Sequence, residues 1–467
     1  MRITDDATRT ALLTYITGSR WFGGKGRRAE LVAITPLPWL QPGDSWPAVR
    51  IEIAEIAYPE GTELYQLLLS YYPEPQPQLD PAVVTRVQDD EFGALVCYDA
   101  VRDPAATSLL LTSLIDGVTH RSPAPDGDQV VDFRPSRTGV LTSDLPGVVF
   151  GGQQSNTSIM YGDTAMLKLF RRIELGRNLD IEVHDQLSRA GSTDVAQLYG
   201  WVEGRWTSST GGAATAYAAD LAMMVEKLAQ ATDGWELALT TLDGSGDSEG
   251  DPDSFVCDAT ALGAALAHIH VGLREAFADV EIPGEAVADV MSGRLQQAVG
   301  VAPALKPYIP GLLACFDRLR SNTVTGQRVH GDFHLGQTLS TPQGWKIIDF
   351  EGEPVKTMAE RLAPDSPARD VAGMLRSFAY AAASRPGPNA LTWADHARAG
   401  FLVGYEAVLG TQDPTVLAAY EADKAVYEVV YETRNRPDWI HIPLAAVAQI
   451  VGAQASKPLD AAREDTP

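Results

Sequence analysis

A polar segment between residues 328 and 353 constrains this chain more than any other feature. It reads Arg-Val-His-Gly-Asp-Phe-His-Leu-Gly-Gln at its start and Trp-Lys-Ile-Ile-Asp-Phe-Glu-Gly-Glu at its end. Asp332 and Gln337 lie five residues apart, and the apolar run 345–348 is typical of a short buried strand that leads to Asp349. The pattern therefore predicts a loop and a strand that bring two carboxylates and an amide together.

This arrangement matches what phosphoryl transfer requires. The reaction needs a group that orients the attacking hydroxyl and oxygen ligands that hold Mg²⁺. The interval is that between the catalytic Asp and the metal-binding Asn of protein kinases, with Gln as the carbonyl donor here. We therefore predict that Asp332 is catalytic and that Gln337 and Asp349 bind Mg²⁺, with His330 and His334 bracing the loop. The alternative is an ordinary turn followed by an ordinary strand end.

The composition favours an intracellular enzyme. The chain has 467 residues and a formal net charge of −24, which argues against nucleic acid and anionic membranes as partners because their phosphates would be repelled. Cys97, Cys257 and Cys315 have no paired spacing, which argues against disulfides and a zinc site. The N-terminus lacks the apolar run of a signal peptide, and no stretch approaches the ~18 apolar residues of a membrane span. These features predict a cytoplasmic protein.

A second motif, Gly-Gly-Gln-Gln-Ser-Asn-Thr-Ser, consists of small polar residues between two strand patterns. Such a loop can fold over a triphosphate, so Ser155, Asn156 and Thr157 are predicted to contact the nucleotide. The next strand carries Lys168, the cation that we expect at the phosphates. Fourteen residues later, Glu182 lies on a helix with an acidic first turn and is the predicted partner of this lysine. The alternatives are a common polar hairpin and a surface charge.

The apolar run 221–226 is typical of a strand that leads into a hinge, where backbone groups of Met224 and Val225 would bind the adenine edge. A core strand would look the same, so both interpretations stay open. Helical patterns dominate after this run, which predicts an α+β chain of two lobes. The predicted parts are an N-terminal β-rich cap subdomain at 1–90, separated by a Pro-rich bridge at 72–81, an intermediate nucleotide-binding subdomain at 91–226 and a helical C-terminal lobe at 227–467.

A helical pattern near the C-terminus carries residues suited to binding a sugar. Carboxylates and guanidinium groups bind hydroxyls, and aromatic rings pack against the C–H surface of a sugar. The candidate substrate residues are Asp423, Tyr427, Glu428, Tyr431, Glu432, Arg434 and Trp439. The Asp, both Tyr and the Arg share one helix face, with the two Glu beside it. The alternative is a helix packed through its tyrosines, with ion pairs such as Lys424 to Glu428 at its edges.

Six blocks of sequence carry a resemblance to a known family. They are residues 20–25, 154–158, 330–337, 348–354, 363–378 and 423–439. On these blocks the chain resembles the actinobacterial maltokinases, which have a protein-kinase-like fold of the aminoglycoside phosphotransferase type. The catalytic block is shared across that superfamily, whereas the Ala-Pro-Asp-Ser-Pro and Tyr-Glu-x-x-Tyr-Glu-x-Arg blocks are much narrower.

The resemblance implies ATP-dependent phosphorylation of maltose at its C1 hydroxyl, giving maltose 1-phosphate for α-glucan synthesis. It implies ATP and Mg²⁺ as cofactors, an N-terminal cap and a disaccharide site in the C-terminal lobe. We expect a monomer, and association with a maltose-producing enzyme is a further hypothesis. Two alternatives stay open: a glucosamine kinase that acts on O6, and an inactive kinase fold that serves as a binding module. The intact set of Lys168, Asp332, Gln337 and Asp349 argues against the second.

Two other features have structural interpretations. The motif Arg-Trp-Phe-Gly-Gly-Lys at residues 20–25 lies far upstream of the nucleotide elements and is interpreted as packing within the cap. Asp370 lies at the start of a helix after Asp-Ser-Pro and is expected to brace the catalytic loop.

Overall fold

The computed structural model describes residues 6–41, 45–89, 92–123, 128–136, 141–151, 156–208, 215–243, 251–353 and 356–455. The chain divides into two compact units. The first contains residues 1–188 and 196–229, and the second contains residues 189–195 and 230–467. The three-part division at 90 and 226 stays a prediction.

The first unit consists mainly of antiparallel strands. Its helices and strands are α1 (Asp6–Gly18), β1 (Glu30–Gln41), β2 (Ala48–Tyr58), β3 (Gly61–Tyr72), β4 (Val83–Asp89), β5 (Gly93–Asp99), α2 (Pro104–Asp116), β6 (Thr119–Ser122), β7 (Gln129–Pro135), β8 (Gly147–Val149), β9 (Thr157–Tyr161), β10 (Ala165–Leu169), β11 (Arg172–Ile173), α3 (Leu179–Arg189), β12 (Leu198–Ser208) and β13 (Thr215–Glu226). The alternating patterns at 48–54 and 63–72 correctly predict β2 and β3.

Two sheets form the core of this unit. The first has the strand order β1-β2-β3-β5-β4, with β11 also paired to β3, and the second has the order β6-β7-β12-β13-β10-β9-β8. Because successive side chains on a strand point to opposite faces, the apolar residues of each strand collect on one side. Ile53, Leu68, Leu167 and Leu221 are examples from a buried cluster to which both sheets contribute. This core holds the strand that carries Lys168.

The Pro-rich bridge at 72–81 does not separate two subdomains. It runs into a 3₁₀ helix (Pro77–Ala82) and connects β3 to β4, which belong to the same sheet. Strands β4 and β5 also pair with each other across the predicted boundary at residue 90. The interpretation of the bridge as a boundary is therefore wrong, because prolines suit any segment outside a hydrogen-bonded ladder, including a connection within one sheet.

The second unit is mainly helical. Its helices and strands are β14 (Thr232–Asp233), α4 (Gly234–Asp243), α5 (Val256–Phe277), β15 (Asp279–Pro283), α6 (Gly284–Val301), α7 (Ile309–Asp317), β16 (Thr323–Gln327), β17 (Thr338–Thr341), β18 (Gly344–Ile347), α8 (Met358–Leu362), α9 (Ala368–Ser384), α10 (Ala390–Leu409), α11 (Pro414–Asn435) and α12 (His441–Ala455). Strand β17 pairs with β14 and β18, and β15 pairs with β16. The strand predicted from the apolar run before Asp349 is β18.

Helices α5 and α10 approach each other closely through glycines. A Cβ atom at Gly263 would lie 2.0 Å from the carbonyl oxygen of Phe401, and one at Gly404 would lie 1.8 Å from the carbonyl oxygen of Thr260. Larger residues at these two positions would force the helices apart. The small residues of α5 therefore serve its packing in the core.

Helix α5 differs from the expectation that no stretch approaches the length of an apolar membrane span. Its 22 residues include a window with a mean hydropathy of 1.4, so by length and composition alone it is able to cross a membrane. Half of that window is buried inside the protein. Buried core helices commonly pass the same test, so a single helix of this kind is a weak indication of a membrane span.

A buried ion pair lies in the first sheet. The Nη2 atom of Arg50 is 2.6 Å from Oε1 of Glu52, and the Tyr71 hydroxyl donates a hydrogen bond to the same oxygen at 2.5 Å. Arg50 and Glu52 are only 3% and 0% exposed, and the guanidinium lies 4.3 Å from the ring centroid of Trp39. Because both charged groups are buried away from water, each needs the other to offset the free-energy cost of its burial.

We expect Arg50→Met to destabilise the protein by about 3–5 kcal/mol, because Glu52 would keep a buried charge without its cation. Calorimetric unfolding measures the change. Lys227→Met is the matched control, since it removes an ion pair with the exposed Asp163 of the same unit and should shift the unfolding temperature far less. Equal shifts in the two variants would contradict a special role for the buried pair.

Candidate active site

A buried carboxylate fixes the backbone of the catalytic loop in the second unit. Asp370, in the first turn of α9, is fully buried and accepts hydrogen bonds from the backbone N–H groups of His330 at 2.7 Å and Gly331 at 2.8 Å. His270 Nε2 donates to it at 3.0 Å, and Nδ1 of the same ring accepts from the Tyr405 hydroxyl at 2.8 Å. Burial alone would raise the pKa of Asp370, but the hydrogen bonds from His270 and from the Gly331 N–H outweigh it, so the pKa is lowered. The predicted brace is confirmed.

Both histidines of the loop also have structural partners. His330 is buried, and its Nε2 donates to the carbonyl of Ile348 at 2.9 Å, which joins the loop to the strand segment before Asp349. His334 begins a 3₁₀ turn, where its Nδ1 accepts from the Gly336 N–H at 3.1 Å. Burial lowers the pKa of His334 and so favours the neutral ring that this acceptance requires. The bracing roles predicted for the two histidines are confirmed.

The two predicted metal ligands lie next to each other. Nε2 of Gln337 donates a hydrogen bond to Oδ2 of Asp349 at 3.3 Å. Asp349 has a backbone φ of +68°, a left-handed conformation that is uncommon outside glycine and is often found at functional sites. An amide oxygen and a carboxylate are the hard oxygen donors that Mg²⁺ prefers, so the residues present fit this ion. Their role as ligands stays a prediction.

Asp332 lines a cavity of about 320 Å³ within the second unit, which we call the acceptor cavity. Among the described residues its ion-pair partner is Lys424 of α11, whose Nζ lies 3.5 Å from Oδ1 of Asp332. The charged residues of the cavity wall are the carboxylates Asp332, Glu353, Glu360 and Asp423 and the cations Arg294, Lys356, Arg369, Lys424 and Arg434. The cavity thus combines the predicted catalytic residue with many polar groups.

Most of these charges are paired within the wall. Nη1 of Arg294 lies 2.7 Å from Oδ2 of Asp423, and Nη2 of Arg369 lies 2.8 Å from Oε2 of Glu353. Lys356 is 3.8 Å from the same Glu353, and burial together with the nearby Arg369 lowers the pKa of its ammonium. Paired charges of this kind present donors and acceptors in fixed positions, which suits a ligand rich in hydroxyl groups.

Helix α11 presents only part of the predicted substrate set to the acceptor cavity. Asp423, Tyr427 and Arg434 line it. Glu428 and Glu432 are buried elsewhere: the first accepts from Nε of Arg376 at 2.9 Å, and the second accepts from the Tyr380 hydroxyl at 3.1 Å. Both carboxylates therefore already have hydrogen-bond partners on α9, and their contact with the substrate stays a prediction.

The two remaining aromatic candidates also lie off the cavity wall, as far as the described residues define it. Tyr431 is 44% exposed, and its ring stacks on that of Tyr427 with the centroids 6.5 Å apart. Trp439 lies in a 3₁₀ turn (Pro437–Trp439) after α11, and the guanidinium of Arg436 is 4.8 Å from its ring centroid. Substrate contact by Asp423, Tyr427 and Arg434 stays a prediction.

The first unit holds the predicted phosphate-binding lysine. Lys168 lies on β10, and its Nζ is 3.2 Å from Oδ2 of Asp180. Asp180 is buried in the first turn of α3 and lies 3.1 Å from Nδ1 of His184. The sequence thus predicts the correct helix, and Asp180 on it is a partner of Lys168 that the sequence does not identify, whereas the pairing of Glu182 with this lysine stays a prediction. Asp180 is on the buried side of α3, whereas Glu182 is only partly buried.

The loop before β9 is described in part. Ser155 lies outside the described residues. Thr157 begins β9, and its hydroxyl accepts a hydrogen bond from Nε of the buried Arg171 at 2.8 Å. Strand β9 pairs with β10, with Ser158 opposite Lys168. Nucleotide contact by Asn156 and Thr157 stays a prediction, and the Thr157 hydroxyl has a protein donor already.

Met224 and Val225 lie near the end of β13, in the middle of the second sheet. Both residues are buried, and β13 is paired with β10 on one side and β12 on the other. Met224 lies opposite Leu167, and Val225 lies opposite Met166. Because neighbouring strands flank their backbone groups on both sides, these residues fit the core-strand interpretation better than contact with adenine.

Several residues of the site are not identified by sequence reasoning. Lys424 is adjacent to Asp423, and Asp180 shares its first turn with Glu182, so a signal exists for both. Arg294 comes from α6, 129 residues before the aspartate that it binds. No local pattern predicts a contact over that distance, which only the tertiary packing creates.

Comparison with known protein families gives two matches. Residues 15–103 match the maltokinase N-terminal cap domain, and residues 167–420 match the phosphotransferase enzyme family. The second match spans more than half of the chain and contains Lys168 and the whole catalytic segment.

Two known proteins with similar sequences are glucosamine kinases. The one from Mycolicibacterium smegmatis is 28% identical over 322 residues, which are 64% of this chain and 78% of that protein. The one from Streptacidiphilus jiangxiensis is 27% identical over 362 residues, which are 71% of this chain and 78% of that protein.

A solved structure of a glucosamine kinase in complex with glucosamine, ADP and inorganic phosphate shares the fold. Its TM-score is 0.66 at 20% identity, and the match covers 93% of this chain and 98% of that one. The α+β protein-kinase-like fold with a β-rich N-terminal cap, predicted from the sequence, is confirmed. The chain belongs to the phosphotransferase enzyme family and is an ATP-dependent kinase.

Proposed function

We propose that this kinase is a Mg²⁺-dependent sugar kinase whose acceptor binds in the acceptor cavity with one hydroxyl at Asp332. The observation that carries the proposal is the position of Asp332 on the wall of a cavity lined by fixed ion pairs. The wall offers guanidinium donors and carboxylate acceptors to hydroxyl groups, and the ring of Tyr427 to the C–H face of a sugar.

In the proposed mechanism, Asp332 orients the acceptor hydroxyl and receives its proton. The hydroxyl oxygen forms a bond to the γ-phosphorus as the bond to the β,γ-bridging oxygen breaks, and ADP leaves. Lys424 holds the Asp332 carboxylate in place, and Lys168 neutralises phosphate charge. Gln337 and Asp349 would hold Mg²⁺, which when bound offsets charge on the phosphate oxygens. Catalysis would depend mainly on positioning and electrostatics.

Maltose is the first candidate acceptor, with phosphorylation at C1. The match of residues 15–103 to the maltokinase cap domain supports it. The pairing of two wall carboxylates also favours a neutral sugar: Asp423 and Glu353 are bound to arginines, so an ammonium group would have to compete with a guanidinium for either of them. A neutral sugar adds hydrogen bonds without breaking these pairs.

Glucosamine is the second candidate, with phosphorylation at O6. The observation that favours it is the similarity of the chain to two glucosamine kinases over 78% of each of them. The two proposed reactions use the same catalytic residues and differ only in the residues that bind the acceptor sugar. The monomeric state, the cytoplasmic location and the association with a maltose-producing enzyme remain predictions.

We expect purified protein with ATP and Mg²⁺ to release ADP in the presence of maltose, and not with glucose or glucosamine. The position of the phosphate on the product is read by ³¹P and ¹H NMR, with Asp332→Asn protein as the background. Turnover of glucosamine alone would move the function to an amino sugar, and turnover of none of the three would contradict the proposal.

We expect Asp332→Asn to lower kcat by about 10²- to 10⁴-fold, because the amide cannot accept the hydroxyl proton. Binding of ATP, followed by calorimetric titration, should change little. Asp395→Asn is the matched control, because Asp395 is an exposed aspartate of the same unit on α10. Retained turnover in Asp332→Asn would remove Asp332 from the mechanism.

Lys424→Met should lower kcat at least about tenfold, because a hydrogen bond between charged groups contributes about 1.5–3 kcal/mol and here one partner is the catalytic carboxylate. Lys306→Met, at an exposed lysine of the same unit, is the control and should leave kcat unchanged. In an Asp332→Asn background, Lys424→Met should add little further loss, since Lys424 acts through Asp332. Full additivity of the two losses would contradict this role.

A further inference from the structure

The motif at residues 20–25, which the proposed catalytic mechanism does not use, borders a second cavity. This cavity lies within the first unit and has a volume of about 470 Å³, and we call it the cap cavity. Residues from three parts of the unit meet there. Arg20 and Trp21 follow α1, and Asp99 ends β5 with Arg102 shortly after it. Thr157 begins β9, and Arg171 follows β10.

The wall of the cap cavity is positively charged. Three of its residues are arginines, and its only carboxylate among the described residues is Asp99. Asp99 is 3.3 Å from Nη2 of Arg171, so that carboxylate is already engaged. Within the described part of the chain, neither Arg20 nor Arg102 has an ion-pair partner, and both are exposed. A wall with two more cations than anions stands out in a chain whose net charge is −24.

Arg171 shows why this wall favours an anion. It is 1% exposed, its Nε donates to the Thr157 hydroxyl at 2.8 Å, and its guanidinium lies 5.0 Å from the ring centroid of Trp21. Its Nη1 is buried and has no hydrogen-bond partner among the described residues. Because this atom is closed to solvent, Arg171 adds to the wall through its weakly screened positive charge rather than by direct contact with an occupant.

We propose that the cap cavity binds a small phosphorylated molecule. A phosphate monoester carries a charge of about −1.5 to −2 at pH 7, which matches the excess of two cations in the wall. Guanidinium groups also fit phosphate oxygens in a bidentate manner. The cavity is larger than a phosphate group needs, and Trp21 and Phe150 give it apolar surface, so an organic phosphate binds more tightly than inorganic phosphate.

An occupant of this cavity would act on the strands that carry the phosphate-binding lysine. Arg171 connects the cap residues Asp99 and Trp21 to Thr157, the first residue of β9. In the β9–β10 hairpin, Thr157 lies opposite Leu169 and the next residue lies opposite Lys168. Binding of an anion beside Arg171 therefore changes the KM for ATP. This second step rests on the proposed role of Lys168, whereas binding itself does not.

Calorimetric titration tests the site, with inorganic phosphate and glucose 1-phosphate as probes and without ATP or acceptor. We expect glucose 1-phosphate to bind more tightly than inorganic phosphate, and Arg20→Ala/Arg102→Ala to weaken both at least about tenfold, since each variant removes charge-assisted hydrogen bonds. Arg28→Ala/Arg86→Ala is the matched control, because it removes two exposed arginines of the same unit that do not line the cavity.

No binding to the native chain would overturn the site, and so would equal binding by the two double variants. Arg102→Gln replaces the double variant if thermal unfolding shows that the latter is not folded. In a kinase assay, glucose 1-phosphate should change the KM for ATP of the native and control proteins and not that of Arg20→Ala/Arg102→Ala. Binding of the probe with an unchanged KM for ATP would contradict the coupling between the cap cavity and the nucleotide site. A protein that binds the probe but has no kinase activity would contradict the sugar-kinase proposal and not the proposed binding site.

Discussion

Asp370 holds the catalytic loop from within the second unit. Its two carboxylate oxygens accept from two consecutive backbone N–H groups, those of His330 and Gly331, and from the ring of His270. Three donors around one buried carboxylate favour its ionised form and offset the cost of its burial. These hydrogen bonds fix the backbone conformation of the loop. They therefore also fix the position of Asp332, which directly follows Gly331.

The same principle determines which side of α11 meets the acceptor cavity. Glu428 and Glu432 are buried; Glu428 pairs with Arg376 and Glu432 accepts a hydrogen bond from the Tyr380 hydroxyl, and because both partners lie on α9 these contacts fix the rotation of α11 about its axis. A buried carboxylate left without its cation is costly, so the helix does not turn these residues toward the cavity. With that rotation fixed, Asp423, Lys424 and Tyr427 face the cavity. The glutamates thus act on the site indirectly, as anchors.

The sequence predicts the parts of this molecule that depend on local spacing. The interval from Asp332 to Gln337, the strand before Asp349 and the lysine on β10 follow from patterns within a few residues, and the structure contains each of these elements. The choice of ion-pair partners is a different matter, because Asp180 and Glu182 are equally good acids for Lys168 until the packing of α3 buries one of them. The bridge at 72–81 failed for a similar reason, since strand pairing joins segments that prolines separate along the chain.

The strongly acidic composition does not oppose the binding of phosphate groups. Charges interact over a screening length of about 8 Å at physiological ionic strength, so distant carboxylates contribute little inside a cavity. The nearest side chains determine the electrostatic potential inside the cavity, and their charges are weakly screened because they are partly buried. In the acceptor cavity these neighbours are five cations and four carboxylates, most of them already paired. Phosphoryl transfer to a neutral hydroxyl is favoured by a wall whose positive and negative charges nearly cancel. A strongly positive wall would bind the phosphorylated product as tightly as the transition state, and product release would become slow.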